Sequence, residues 1–171
     1  MKIEANGIHI NCELSGKKQA PVVVLSHSLA CSMVMWCPQL ELLESHFQVL
    51  RFDTRGHGGS DAPAGPYSLD QLVGDAIGIL NELDFDRVYW VGLSMGGMIG
   101  QGLMLSLPDR IERLVLADTA AIIPDEAQPA WQERIDAVHN GGMPVVAEST
   151  LERWFTPNYL AKNPPEIDQI R

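Results

Sequence analysis

Four short apolar runs constrain the fold more than any other feature of this chain: Pro21-Val22-Val23-Val24-Leu25, Val49-Leu50-Arg51-Phe52, Val88-Tyr89-Trp90-Val91 and Leu114-Val115-Leu116-Ala117. Each has the length of a strand and is mostly apolar, Arg51 being the one charged residue among them, as suits a strand covered on both faces. Helix-like segments separate them. Pro38–Glu44 carries a proline near its first turn. Ser68-Leu69-Asp70-Gln71 reads as a capping box, and Leu69, Leu72, Val73, Ala76, Ile77, Leu80 and Leu83 then fall on one stripe. Ser94–Leu107 is a helix of small and apolar residues stopped by Pro108. This alternation predicts an α/β fold: a mostly parallel sheet with helices on both faces. Ile8–Leu14 alternates apolar and polar residues, which predicts an early antiparallel strand.

With 171 residues, 46% of them hydrophobic, the chain is long enough to bury a sizeable core. Twelve basic residues against 22 acidic ones give a formal charge of -10. That field repels a phosphate backbone, so no nucleic-acid partner is expected. The apolar runs are too short to span a bilayer, so no membrane partner is expected either. The first residues carry no secretory signal. Cys12, Cys31 and Cys37 lack disulfide or metal-ligand spacing. They read as reduced, buried thiols of a cytoplasmic protein, with no metal site.

After Asp118 the character changes. Pro124, Pro129, Pro144, Pro157, Pro164 and Pro165 punctuate short helical pieces, and Trp131, Ile135 and Val138 give one of them an apolar side. The expected division is 1–122, the sheet core, and 123–171, an incomplete helical cap or lid.

The chemistry centres on Gly92-Leu93-Ser94-Met95-Gly96, a G-x-S-x-G sequence that follows one predicted strand and opens a helix. A chain that passes from strand to helix this sharply holds Ser94 in a strained conformation and lifts its hydroxyl above the sheet. Glycines flank it because side chains would clash across the turn. Ser94 is therefore the candidate catalytic nucleophile. An acyl-transfer serine needs donors for the developing oxyanion. These are expected to be the backbone N–H of Met95 and, from the loop after the first buried strand, that of Leu29.

The chain resembles the α/β-hydrolases and, within that fold, 3-oxoadipate enol-lactonases of the β-ketoadipate pathway of aromatic-compound catabolism. The residues that carry the resemblance are Leu25-Ser26-His27-Ser28-Leu29, Met35-Trp36-Cys37-Pro38-Gln39, Arg51–Ser60 with its Arg55-Gly56-His57-Gly58 core, and Gly92–Gln101. Trp131–Ile135 and Glu152–Pro157 extend it into the cap and narrow it to the lactonases. Many relatives have glycine where this chain has Ser28, which requires a negative φ there.

The resemblance implies a triad ordered serine, acid, histidine. The family's acid and base lie on later loops, past Arg171, so the C-terminal part of the fold is expected to be missing and the 171 residues are expected to be an inactive fragment. Asp118, at the end of a strand, is an alternative acid. His27 and His57 are expected to order their loops. An open apolar strand edge is expected to pair, with another copy or with a complementing C-terminal piece.

The function so implied is that of a cofactor-free serine hydrolase acting on a small anionic enol-lactone, with Arg134 meeting its carboxylate beside an apolar wall, Trp131. Arg134 is otherwise a solvated residue paired with Glu133 or Asp136. A carboxylesterase, a carbon–carbon bond hydrolase, a perhydrolase and a non-catalytic interaction module remain alternatives.

Overall fold

The burial of successive strand residues shows how the sheet is covered. The computed structural model describes residues 1–170, apart from the side chains at 166 and 169. The strands are β1 (Lys2–Ala5), β2 (Ile8–Gly16), β3 (Val22–Ser26), β4 (Gln48–Phe52), β5 (Val88–Leu93) and β6 (Ile111–Ala117), joined in the order β1-β2-β4-β3-β5-β6. β2 pairs antiparallel with β1 and β4, as its alternation predicted, and β4, β3, β5 and β6 are parallel. β1 is an addition that the apolar runs did not announce.

Val24, Leu50, Phe52, Val88 and Trp90 point to one face, where they pack with Val73, Ala76, Ile79 and Leu80 of α2 (Leu69–Glu82) and Ile99 and Leu103 of α3 (Met95–Ser106). Their neighbours Val23, Leu25 and Val49 point to the other face, against Trp36 and Leu40 and Leu43 of α1 (Cys37–Glu44). The period of two places consecutive apolar residues on opposite faces, which is why these runs needed cover on both. The capping box of α2 forms as read: Ser68 Oγ accepts from Gln71 N and Gln71 Oε1 accepts from Ser68 N.

Two expectations need correction. Leu114–Ala117 was read as a buried strand, but β6 is the outer strand among the described residues, and Val115 and Leu116 are 50% and 44% exposed. Cys12 and Cys31 are buried, and burial pushes their thiols up to about 12 and about 11. Cys37, in contrast, is exposed at the start of α1, where its Sγ accepts from Arg51 Nη1 at 3.3 Å.

The chain forms two compact units, with the change at Ala121/Ile122. The second contains α4 (Gln128–Gly141), α5 (Pro144–Trp154), α6 (Pro157–Leu160) and α7 (Pro165–Ile170). Pro129, Pro144 and Pro157 sit in first turns, where the missing N–H costs nothing. Val146, Leu151 and Ile167 are buried there. No helix among the described residues is long and apolar enough to cross a membrane.

Candidate active site

The turn between β5 and α3 is built by close backbone approach. A Cβ on Gly92 would stand 2.1 Å from the carbonyl oxygen of Gly96, and one on Gly96 would stand 2.1 Å from that of Ser26. Neither site admits a side chain, so the turn closes directly onto the end of β3. Trp90, buried in the core, donates Nε1–H to Gly96 O at 3.0 Å. Ser94 N–H donates to Ala117 O at 3.0 Å, at the end of β6.

Held on these sides, Ser94 adopts φ 52° and ψ -113°, a sparsely populated conformation for a residue with a side chain. A serine at a helix start ordinarily directs its hydroxyl back to cap the first turn. Ser94 occupies that position and makes no such bond. The half-buried hydroxyl is thereby left for other chemistry. Met95 N–H, the next amide, meets no protein acceptor among the described residues, whereas Gly97 N and Met98 N both donate to Ser94 O.

Leu29 lies in the loop that starts directly after Ser26, beside the elbow, and is 38% exposed. Its N–H also meets no protein acceptor among the described residues. Ser28 avoids the positive-φ region, and Ala30 (φ 62°) takes the left-handed position in this loop. Two histidines tie the loop down. His27 Nδ1–H donates to Ser28 O at 2.7 Å, and its Nε2 accepts from Thr54 N at 2.8 Å. His57 Nδ1–H donates to Arg55 O at 3.0 Å, and its Nε2 accepts from Ala30 N at 3.1 Å. Burial pulls His27 down to about 4, so its ring is neutral at pH 7. With every ring nitrogen engaged, both are loop staples, in line with their sequence reading.

Sequence reasoning missed the carboxylate that completes this frame. Buried Asp53 accepts from Met33 N, Asn11 Nδ2 and Gly59 N, each at 2.8 Å. It joins three segments. The only hint in the sequence is an aspartate at a strand end before a glycine-rich loop. The buried Arg55–Asp75 pair, with contacts at 2.6 and 2.5 Å, then fastens the same loop to α2.

Asp118, the alternative acid, follows β6 directly, is exposed and has φ 41°. Ser94, Met95 and Asp118 thus gather at the C-terminal ends of β5 and β6, with the Leu29 loop at the end of β3. Trp131 and Arg134 lie in the second unit. Arg134 does not pair with Glu133 or Asp136; its guanidinium stacks 4.9 Å from the Trp131 ring, and no ion pair to it forms among the described residues.

Residues 21–159 match the family model of the alpha/beta hydrolase fold, and the chain belongs to that family. It is 36% identical to 3-oxoadipate enol-lactonase 2 of Acinetobacter baylyi over 168 residues, 98% of this chain and 62% of that protein. Among solved structures, it resembles the enol-lactonase from Burkholderia xenovorans LB400 with a TM-score of 0.92 and 40% identity, covering 98% of this chain and 65% of that one. It also resembles a thermophilic esterase from Thermogutta terrifontis, with a TM-score of 0.88 and 27% identity over 99% of this chain and 64% of that one. The lactonase resemblance read from the motifs is borne out. The chain spans about three fifths of the length of the curated relatives it matches.

Proposed function

We propose that Ser94 is the nucleophile of a hydrolase that opens a small, carboxylate-bearing enol-lactone. One observation carries this: a serine held at φ 52° at the head of a helix, with its hydroxyl not capping that helix. Ser94 Oγ attacks the ring carbonyl, and the Met95 and Leu29 N–H groups receive the oxyanion. The ring C–O bond breaks, the enol oxygen takes a proton, and water then hydrolyses the acyl-enzyme to release the second carboxylate. These steps call for no metal or organic cofactor.

By the family pattern of serine, acid, histidine, the base and the triad acid fall beyond Arg171; His27 and His57 have both ring nitrogens engaged in their loops. Asp118 is the alternative acid. Arg134, stacked on Trp131 and free of an ion pair among the described residues, takes the substrate carboxylate. On a chain with a net charge of -10, a local guanidinium matters for anion capture. The malate-bound state named for the Thermogutta esterase supports a carboxylate-bearing ligand.

The test uses the complete protein and a fluorophosphonate probe. Ser94 is labelled, and Ser94→Ala abolishes both labelling and lactone hydrolysis. Undiminished turnover by Ser94→Ala overturns the reading. Arg134→Gln raises KM for the anionic lactone about tenfold or more and leaves a neutral aryl ester unchanged. Equal effects on both substrates remove Arg134 from the assignment.

A further inference from the structure

The carbonyl of Ser94 and the N–H of Met95 are opposite ends of one planar peptide. Whatever fixes that carbonyl aims that N–H. Ser94 O accepts from Gly97 N at 2.9 Å and Met98 N at 3.1 Å, bonds that the first turn of α3 makes with its own backbone. Its third donor is a side chain: Thr119 Oγ1, at 2.7 Å.

Thr119 is placed for this contact from two sides. It follows β6 by two residues, and Ala117 at the end of that strand accepts Ser94 N–H at 3.0 Å. Between them, Asp118 turns the chain through φ 41°. One short segment therefore grips residue 94 by both its N–H and its C=O. Thr119 also seats closely on the helix: a Cβ added to Gly97 would lie 2.7 Å from the Thr119 Cβ.

We propose that Thr119 is a positioning residue for the oxyanion site. By donating to Ser94 O, its hydroxyl holds the Ser94–Met95 peptide in the orientation that aims Met95 N–H at the reacting oxygen. It also strengthens that donor, because a peptide whose carbonyl accepts a hydrogen bond is polarised at its amide end. The proposal rests on Ser94 being the nucleophile. Its effect falls on the transition state, where the oxyanion develops, and not on substrate capture. The fold does not depend on it, since Ser94 O keeps its two backbone donors without the hydroxyl and valine fills the space of threonine.

The experiment compares Thr119→Val and Thr119→Ser with the parent in the complete protein. It measures kcat and KM for an ester or lactone substrate, the affinity of a boronic acid that forms a tetrahedral serine adduct, and thermal stability. Active sites are counted by fluorophosphonate titration, so that misfolded protein does not enter kcat. Losing a whole oxyanion donor costs about a hundredfold or more, so misaiming one is expected to cost about tenfold. Thr119→Val lowers kcat about tenfold, leaves KM within about twofold, and weakens boronate binding by the same factor as kcat. Thr119→Ser keeps the hydroxyl and restores kcat. An unchanged kcat in Thr119→Val overturns the proposal, as does an equal loss in both variants or a loss confined to KM and thermal stability. Turnover retained in Ser94→Ala overturns the nucleophile reading instead, so the two failures are distinct.

Discussion

On the β1–β2–β4 flank of the sheet, Ile3, Ala5, Ile8, Ile10 and Cys12 pack in one cluster with Val73, Ala76, Ile79 and Leu80 of α2, whereas on the opposite flank β6 leaves Val115 and Leu116 about half in solvent. The covered flank is also laced with polar contacts. Asn6 donates to Asp75 at 2.8 Å, Asp75 holds Arg55, and Asn11 reaches Asp53. β6 is tied by the ladder to β5, by Ile111 and Leu114 in the same cluster and by the Ala117 contact to Ser94, with Thr119 adding a second contact just past its end. The difference teaches that apolar residues state a demand for cover without supplying it. Stability is concentrated on the first flank, while the second contributes the geometry of the elbow.

The contrast can be broken most severely at Asp75. Asp75→Ala leaves the buried Arg55 guanidinium unpaired and is expected to cost about 4 kcal/mol in urea unfolding. A loss below about 1 kcal/mol would mean that the covered flank does not depend on this pair. Ile10→Ala, at a fully buried position, is expected to cost about 3 kcal/mol by the same measurement.

A third effect is read in the pH dependence. His27 titrates at about 4 in the folded protein and near 6.5 when unfolded. Between these values the unfolded chain binds the extra proton, so this contribution is full above pH 6.5 and is lost as pH falls toward 4. Calorimetry across that window should show a fall of about 2–3 kcal/mol from this group, flattened in His27→Asn. The smallest effect belongs to the open flank. Leu116→Lys should change stability by no more than about 0.5 kcal/mol and reduce self-association in light scattering. A large destabilisation there would show that β6 is covered after all.

Much of this was legible in the residues. The four apolar runs gave the parallel strands, Ser68 and Gln71 gave the start of α2, and G-x-S-x-G in its strand-to-helix context gave the elbow. β1 was missed because Lys2–Ala5 is too short for a periodic signal, and its burial comes from α2 lying over it. Leu114–Ala117 was read as buried because hydrophobicity does not identify what packs against it. Asp53 and Thr119 were invisible for a related reason. Their partners Asn11, Met33 and Ser94 are remote in sequence, and single polar residues at strand ends carry no period. The alternative for Arg134, a pair with Glu133 or Asp136, does not form, because the Trp131 ring three residues earlier on the same helix provides a closer face.

The strand order also bears on how the protein is made. β1 to β4 are all translated once residue 52 has left the ribosome, and they form a contiguous half-sheet with β3 at its rim. Until β5 emerges, the nascent chain carries Val23, Val24 and Leu25 along an unpaired backbone edge, the kind of surface that chaperones shield. The tight bend at residue 94 closes against Ser26 of that edge on one side and against Ala117 of β6 on the other. Ser94 is thus shaped between an edge translated before it and a strand end translated after it.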